Sequence, residues 1–323
     1  MRRLEDMRIG VLAGGPSSER EISLKSGASV CAALKSRGLN AVLVDVSGDP
    51  RSFFGNIDID VAFIALHGGA GEDGTVQGIL EKFDIPYTGS SSRSSGVAID
   101  KIASKKLFER ACIRVPRYAA VSAETGSMEF VWSYGFPAVV KPAREGSSVG
   151  LTVVSEPGGL AAAIGKALKH GGYALVEEFI PGRELTVGVV DGQALPVVEI
   201  GSKCDIYDYN AKYVDTETIY TVPAMITAER AGKAQETALA AHMALGCRHF
   251  SRVDMRMTAA GEIYVLEVNT IPGLTERSLL PKAARAAGIE FPELCVKFIE
   301  MAINKKGDDD GARQEKAGRK TVV

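Results

Sequence analysis

The sequence has few of the residues on which many catalytic centres depend. Its 323 residues include five cysteines and four histidines. The cysteines are scattered, and no two have the spacing of a zinc site or of a CxxC redox pair: Cys31, Cys112, Cys204, Cys247 and Cys295. There is no HExxH segment, which argues against zinc-dependent hydrolysis. We therefore expect reduced, buried thiols in a cytoplasmic protein.

The chain also lacks an excess of one charge and a long apolar run. Its formal net charge is −2, so nothing favours nucleic acid or a membrane surface as a partner. Apolar runs such as VAFIALHGG are far shorter than the roughly 20 residues that span a bilayer. Near the N-terminus, Glu5 and Asp6 interrupt the run that leads into a glycine turn, which predicts a strand and not a signal peptide.

The length and the hydrophobic pattern predict more than one domain. Over about the first 100 residues, apolar runs alternate with segments of helical periodicity, which predicts a doubly wound parallel sheet. Beyond that point short strands follow one another with helices between them, as in α+β units. We predict an N-terminal α/β domain at 1–100, a central unit at 101–185, a C-terminal unit at 186–306 and a disordered tail at 307–323.

A loop with small side chains follows the predicted strand that ends at Lys141. The segment KPAREGSSVG leaves backbone N–H groups accessible to phosphate oxygens, with Ser147 and Ser148 as hydroxyl donors. Such a loop is suited to fold over a polyphosphate. A solvated hairpin turn explains it equally well when it is taken alone, and it is not a Walker A loop.

A hairpin carries the second candidate site. Asp254 and Glu267 are expected to face each other across a turn at Ala260–Gly261, and Asn269 lies on the same face. Two carboxylates and an amide oxygen suit Mg²⁺ that bridges substrate phosphates. The alternative is a surface ion-pair ladder with Arg252 and Arg256. The other face is predicted to be apolar, with Val253, Met255, Tyr264, Leu266 and Val268.

Acidic residues and one histidine stand at strand ends. Glu177, Glu178 and Glu184 surround a turn between two strands, where they are able to accept from an adenine amino group or ribose hydroxyls, or to form a solvated turn. Glu19 begins a helix after the first strand, so it suits the helix dipole or a substrate ammonium. His67 ends a strand at the same expected edge, where it has a structural or a functional role.

Taken together and in order, these segments resemble the D-alanine–D-alanine ligase family of the ATP-grasp superfamily. The segments are GGPSSEREISLKSG, ALHGGAGEDGTVQG, YTGSS, DK at 100–101, VVKPAREGSSVG, YDYNAKY, RVD and EVNTIPGLTERSLLP. The resemblance runs from about residue 8 to about residue 304. It implies a two-part ATP-grasp fold after the α/β domain. It also implies ATP-dependent joining of two D-alanines through an acyl phosphate for peptidoglycan precursors.

The resemblance implies site residues by position. The implied catalytic residues are Glu19, Ser147, Tyr213, Arg252 and Ser278. The implied D-alanine-binding residues are Glu19, His67, Arg252, Gly273 and Ser278. The implied ATP-binding residues are Lys101, Lys141, Ser147, Ser148, Glu177, Glu178, Phe179, Glu184, Lys212 and Glu267. The implied metal ligands are Asp254, Glu267 and Asn269, for two Mg²⁺ or Mn²⁺ ions.

Partners and alternatives follow from the same comparison of motifs. D-alanine and ATP are the expected partners, a cytoplasmic homodimer is expected, and activation by a monovalent cation such as K⁺ is open. Tyr213 favours an amine acceptor over D-lactate, which a depsipeptide ligase would use. A nucleotide-binding module without turnover is a further alternative. A nicotinamide oxidoreductase is disfavoured because GGPSSE lacks GxGxxG.

Overall fold

A computed structural model describes residues 3–48, 57–124, 135–201 and 219–304. The strands are β1 Arg8–Gly14, β2 Asn40–Val46, β3 Val61–Ile64, β4 Tyr118–Val121, β5 Ala138–Pro142, β6 Thr152–Val154, β7 Ala174–Glu178, β8 Arg183–Val190, β9 Gln193–Ala194, β10 Val198–Gly201, β11 Ile219–Thr221, β12 Phe250–Met257 and β13 Ile263–Asn269. The helices are α1 Arg20–Ser36, α2 Thr75–Lys82, α3 Ser92–Ile99, α4 Lys101–Arg110, α5 Leu160–Leu168, α6 Ala228–Ala244, α7 Leu279–Ala286 and α8 Phe291–Ile303.

The N-terminal sheet is parallel, as the sequence pattern predicts. Its strand order is β2-β1-β3, and Ala62 forms a further parallel bridge with Tyr87. Parallel strands joined through helices end at one edge of the sheet, so the segments after β1 and β3 are neighbours. Those segments carry Glu19 and His67. The spacing of Ser18 and Glu21 predicts a capping box, and this prediction is wrong because the N-cap of α1 is Glu19 and its side chain makes no cap bond.

Two antiparallel sheets follow the N-terminal sheet. The four-stranded sheet has the order β4-β7-β5-β6, and the six-stranded sheet runs β11-β10-β8-β12-β13 with β9 against β8. Helix α5 packs on the first sheet, and α6 packs on the second. The loop KPAREGSSVG connects the antiparallel pair β5 and β6, so its prediction as a hairpin connection is confirmed.

The periodicity of SSGVAIDKIASKKLFERAC predicts one helix, and this prediction is wrong because the segment forms two helices. Helix α3 ends at Ile99, and α4 begins at Lys101. Asp100 is the N-cap of α4, where its carboxylate accepts from the backbone N–H groups of Ile102 and Ala103. A carboxylate that satisfies two N–H groups of the first turn favours starting a new helix at this point. The break places Lys101 at the first helical position, beside the loop after β5.

The last helix packs against the N-terminal sheet, although the chain reaches it after both antiparallel sheets. Phe298 of α8 stacks on Phe250 with ring centroids 4.0 Å apart and lies 6.2 Å from the ring of Phe63. All three rings belong to one buried cluster that joins the N-terminal and C-terminal parts of the chain. The domain boundaries at 100, 185 and 306 stay a prediction, and the tail at 307–323 lies outside the described residues.

The structure tests two expectations from composition: that the cysteines are buried thiols, and that apolar runs are too short to span a membrane. Cys31 and Cys295 are buried free thiols and Cys247 is partly buried, but Cys112 is exposed, so the expectation of buried thiols is wrong there. Cys204 lies outside the described residues. Within the described ranges, no helix is long and apolar enough to cross a membrane.

Candidate active site

Two cavities lie side by side and share two charged residues. The first has a volume of about 100 Å³ and lies mainly between the four-stranded sheet and the β12–β13 hairpin. The second has a volume of about 440 Å³ and extends to the ends of β1 and β3. Lys101 and Glu267 line both cavities, and they approach each other with Nζ and Oε2 3.3 Å apart. A group bound in one cavity is therefore able to meet a group bound in the other.

The first cavity combines apolar walls with buried charge. Among its lining residues are Val139, Leu151, Ile180, Leu266 and the side chains of Lys141 and Glu177. Lys141 Nζ lies 2.8 Å from Glu177 Oε2. Burial by itself would raise the pKa of Glu177, but Lys105 and Lys141 hold that pKa below its ordinary value. The cavity thus presents an apolar slot with a fixed carboxylate and a lysine in its wall.

Three further predicted ATP residues line this first cavity. Arg256 lies over the ring of Phe179, 5.4 Å from its centroid, and donates to Glu184 Oε2 at 3.3 Å. Glu178 also lines the cavity, but its carboxylate accepts from the backbone N–H and the Nε of Arg117. A carboxylate held by an arginine is less available to a nucleotide, so Glu178 has the weakest support as a side-chain ligand.

The β12–β13 hairpin has the predicted register at its metal-binding end. Asp254 pairs with Glu267, and Arg252 pairs with Asn269. A bulge between Asp254 and Met255 then shifts the pairing.

The bulge corrects the predicted apolar face of the hairpin. Past the shift, Tyr264 pairs with Arg256, and Val265 instead of Tyr264 or Leu266 joins the core. Tyr264 and Leu266 are therefore wrongly placed on the apolar face by simple alternation, and Leu266 lines the first cavity beside Glu267.

The charged face of this hairpin is buried, which excludes a surface ion-pair ladder. Arg252, Asp254 and Arg256 are each less than one-tenth exposed. Arg252 donates to both carboxylate oxygens of Asp254, from Nε at 2.9 Å and from Nη2 at 2.7 Å. Thr186 also donates to Asp254, at 2.6 Å. Asp254 is therefore held in one orientation, at the boundary of the two cavities.

The donor set fits a hard divalent cation. Asp254 and Glu267 are directly opposed, and Asn269 lies two positions further along the same strand. Arg252 and Lys101 compensate the charges of these two opposed carboxylates, and oxygen donors of this kind suit Mg²⁺ or Mn²⁺. Within the described ranges, no group of three or more His, Cys, Asp or Glu is placed to hold a metal. Two carboxylates and an amide leave positions for phosphate oxygens to complete the coordination.

The loop after β5 contributes residues to the lining of both cavities. Glu145 and Ser148 line the first cavity, whereas Gly146 and Ser147 line the second. The Nζ of Lys101 donates to the backbone oxygen of Glu145 at 2.5 Å, and this bond ties the loop to the start of α4. Ser147 and Ser148 both have positive φ, 49° and 58°. Two non-glycine residues in this sparsely populated region indicate that the surrounding contacts impose the loop conformation.

Glu19 connects this loop to the end of the N-terminal sheet. Its carboxylate accepts a short hydrogen bond from the hydroxyl of Ser147, and it is buried. Gly68 lies against it, since a Cβ on Gly68 would be 2.7 Å from Glu19 Oε2. His67 is also buried, with Nε2 2.9 Å from Ser26 Oγ and Nδ1 3.9 Å from Glu72 Oε1. Both strand-end residues therefore line the second cavity, as the topology requires.

The second cavity is also lined by the start of a helix. Gly273 and Ser278 line it, and Ser278 is the N-cap of α7. Ser278 Oγ accepts from the backbone N–H of Thr275 at 3.1 Å. A helix N-terminus favours a negative charge, and this one lines the same cavity as the carboxylate of Glu19. The cavity is thus suited to ligands that carry both an ammonium and a carboxylate.

Two predicted site residues lie outside the described residues, and three residues in or beside the cavities were not predicted as site residues. Lys212 and Tyr213 lie outside the described residues. Sequence reasoning missed Leu266, Glu72 and Lys105. A spacing of four from Lys101 on a helix that starts after Asp100 would have placed Lys105 on the same face. Nothing in the local pattern marks the bulge that turns Leu266 into the cavity.

Comparison with known proteins assigns the family. Residues 107–300 match the family model of the D-ala D-ala ligase C-terminus, and residues 52–90 match that of the N-terminus. The chain is 47% identical over 304 residues to the D-alanine–D-alanine ligase of Pelobacter propionicus, over 94% of this chain and 98% of that protein. The chain belongs to the D-alanine–D-alanine ligase family.

Solved structures that are similar to this chain have the same fold as it does. The ligase from Bacillus anthracis complexed with ATP has a TM-score of 0.84 and 34% identity, over 94% of this chain and 99% of that chain. The VanG D-Ala:D-Ser ligase from Enterococcus faecalis has a TM-score of 0.81 and 33% identity, over 92% and 99%. The predicted family and the predicted fold class are therefore confirmed.

Proposed function

We propose that this chain is an ATP-dependent, ADP-forming ligase that joins two D-alanines into D-alanyl-D-alanine for peptidoglycan precursors. The observation that supports it best is the pair of cavities that meet at Lys101 and Glu267. One has the apolar slot and lysines that suit a nucleotide. The other has both Glu19 and a helix N-terminus in its lining, which suits amino acids.

In the first half of the reaction, a D-alanine carboxylate would attack the γ-phosphate of ATP. The new bond joins a carboxylate oxygen to phosphorus, the bond to ADP breaks, and an acyl phosphate results. Glu19 is suited to hold the ammonium of this first D-alanine beside His67. Lys101 and Lys141 would supply positive charge for the phosphates, while Phe179 and Glu184, which line the same cavity, would flank the base and ribose. Catalysis of this kind rests on positioning and charge.

In the second half, the amino group of another D-alanine would attack the carbonyl carbon, and phosphate would leave with its bonding electrons. Ser278 and the backbone of Gly273 are suited to hold the second carboxylate. Arg252 lines the same cavity and is buried, so its charge is able to stabilise the tetrahedral intermediate. Its bidentate contact with Asp254 links that role to the proposed metal ligands.

Asp254, Glu267 and Asn269 would hold two Mg²⁺ or Mn²⁺ ions, with Glu267 also close to ATP. Such ions, when bound, neutralise the charge that develops on the transferred phosphoryl group. The contribution of this chain is the fixed orientation of its oxygen donors, for which the contacts of Arg252 and Thr186 with Asp254 give support.

The loop after β5 would exclude water from the acyl phosphate. Ser147 and Ser148 face different cavities, so one loop is able to cover both reactants. Lys212 would complete the cover over the phosphates, and Tyr213 would join Ser147 and Glu19 in a hydrogen-bonded set. A cytoplasmic homodimer and activation by K⁺ are also part of the proposal, with support from the family resemblance alone.

A phosphate-release assay with ATP, Mg²⁺ and D-alanine tests this function. We expect release that needs both D-alanine and the metal ion, and a product with the mass of D-alanyl-D-alanine. Mixtures of D-alanine with D-lactate or D-serine test the acceptor, and we expect the amine product from D-alanine to dominate. Tight ATP binding without D-alanine-dependent release, and with an unaltered rate in Asp254→Ala, would favour the module without turnover.

A further inference from the structure

Lys105 is a buried lysine that has no role in the reaction described above. It lies in α4, one helical turn after Lys101, and its side chain is 0% exposed. A buried ammonium is costly unless an opposite charge compensates it. Burial accordingly lowers the pKa of Lys105 from 10.5, while Glu177 opposes that shift.

The opposite charge is a carboxylate of the nucleotide cavity. Lys105 Nζ lies 2.7 Å from Glu177 Oε1, and Lys141 Nζ lies 2.8 Å from Glu177 Oε2. Each carboxylate oxygen thus has its own lysine, so the carboxylate plane is held from both ends. Lys141 and Glu177 line the cavity, whereas Lys105 lies behind them, 5.4 Å from the centroid of the Tyr118 ring.

The charges of these three side chains contribute to the potential that a phosphate meets in the first cavity. Two cations and one anion leave one net positive charge at the cavity wall. If the cation behind Glu177 were removed, Lys141 and Glu177 would form a neutral pair. Lys141 would then present little net charge to a polyphosphate, although its position would be unchanged.

We propose that Lys105 is a positioning residue that holds Glu177 and carries its counter-charge, so that Lys141 acts on the triphosphate. This inference rests on the proposed function, since it takes the first cavity as the ATP site. It assigns no contact between Lys105 and the nucleotide. It predicts instead that the charge of Lys105 raises the affinity for phosphate and that the charge of Glu177 lowers it.

The test uses calorimetric binding of inorganic triphosphate, a probe that lacks the base and needs no turnover. Lys105→Met, a substitution of similar shape, should weaken binding about tenfold because one of a few charges near the phosphates is cancelled. Adding Glu177→Gln to Lys105→Met should restore binding, because Lys141 then keeps its full charge. Lys106→Met is the matched control, since Lys106 is the exposed neighbour on α4, and binding should not change.

Steady-state kinetics give a second readout. Lys105→Met should raise KM for ATP about tenfold and leave KM for D-alanine unchanged, because the Lys141–Glu177 pair that Lys105 compensates lines the nucleotide cavity and not the second cavity. Wild-type activity with D-alanine reports on the proposed function separately. If wild type ligates D-alanine and Lys105→Met binds triphosphate as wild type does, the inference fails while the proposed function stands.

A purely structural role for Lys105 would give a different pattern. The double variant would then bind triphosphate no better than Lys105→Met, and that result would overturn the proposal. If Lys105→Met does not fold, the double variant is compared with Glu177→Gln alone. Because the double variant carries one positive charge fewer, it should bind about tenfold more weakly than Glu177→Gln. Equal affinity would refute the assignment, as would a wild type that binds neither ATP nor triphosphate.

Discussion

Replacement of Gly68 by alanine should damage the D-alanine site more than it damages the fold. Gly68 has φ 71° and ψ 159°, a combination that is essentially restricted to glycine. A side chain there costs about 1–3 kcal/mol. The new Cβ would also lie 2.7 Å from Glu19 Oε2 and 3.1 Å from Ser17 Oγ. Since a carboxylate at the end of a side chain moves more readily than backbone, Glu19 should give way.

A displaced Glu19 loses its bond with Ser147 and its place beside the substrate ammonium. A hydrogen bond to a charged group contributes about 1.5–3 kcal/mol, which corresponds to roughly 10- to 150-fold in kcat/KM. We therefore expect kcat/KM for D-alanine to fall by at least about tenfold, with KM for ATP nearly unchanged. Phosphate release at varied D-alanine and varied ATP measures both quantities.

Gly38→Ala is the matched control for this experiment. Gly38 follows α1 with φ 76°, and an added Cβ would meet no described atom within 4 Å. It should lower the melting temperature through the cost of a positive φ, about 1 kcal/mol, without changing kcat/KM. The reasoning is refuted if Gly68→Ala is folded and keeps kcat/KM for D-alanine within a factor of about two.

Three further predictions concern the loop, the hairpin and a buried histidine. Ser147→Ala should slow turnover about tenfold or more at an unchanged melting temperature, and an equal rate would make the loop a passive turn. Glu267→Gln should raise the Mg²⁺ concentration needed for half-maximal rate more than it raises KM for ATP. A normal Mg²⁺ response would contradict the metal assignment, and Glu262→Gln on the same hairpin is the control. Burial lowers the pKa of His242 from 6.5 to about 4, so the unfolded chain binds the proton more tightly. Stability should therefore fall as pH drops from about 6.5 to 4, by up to about 3 kcal/mol, and denaturant titration of His242→Gln should show a flatter profile.

The site residues could be anticipated where a local rule fixes the geometry. Alternation along a hairpin predicts that Asp254 and Glu267 face each other, because antiparallel pairing sets both register and side. Parallel strands predict that Glu19 and His67 meet at one edge. The same alternation fails at Leu266, since one extra residue in a strand reverses the faces beyond it. No residue type in IYVLEVN requires that bulge.

The sequence by itself determined the order of elements, the parallel N-terminal sheet and the chemical types of the site residues. These follow from periodicity, glycine turns and motif spacing, which act over a few residues. Only the tertiary structure decided that Lys105 pairs with Glu177 and that α8 packs on the first sheet. Those contacts join segments far apart in the chain, and the packing of whole sheets and helices brings such segments together. Charge compensation in a buried site is a property of that packing. The sequence shows that lysines and glutamates are present, but it does not show which lysine will pair with which glutamate.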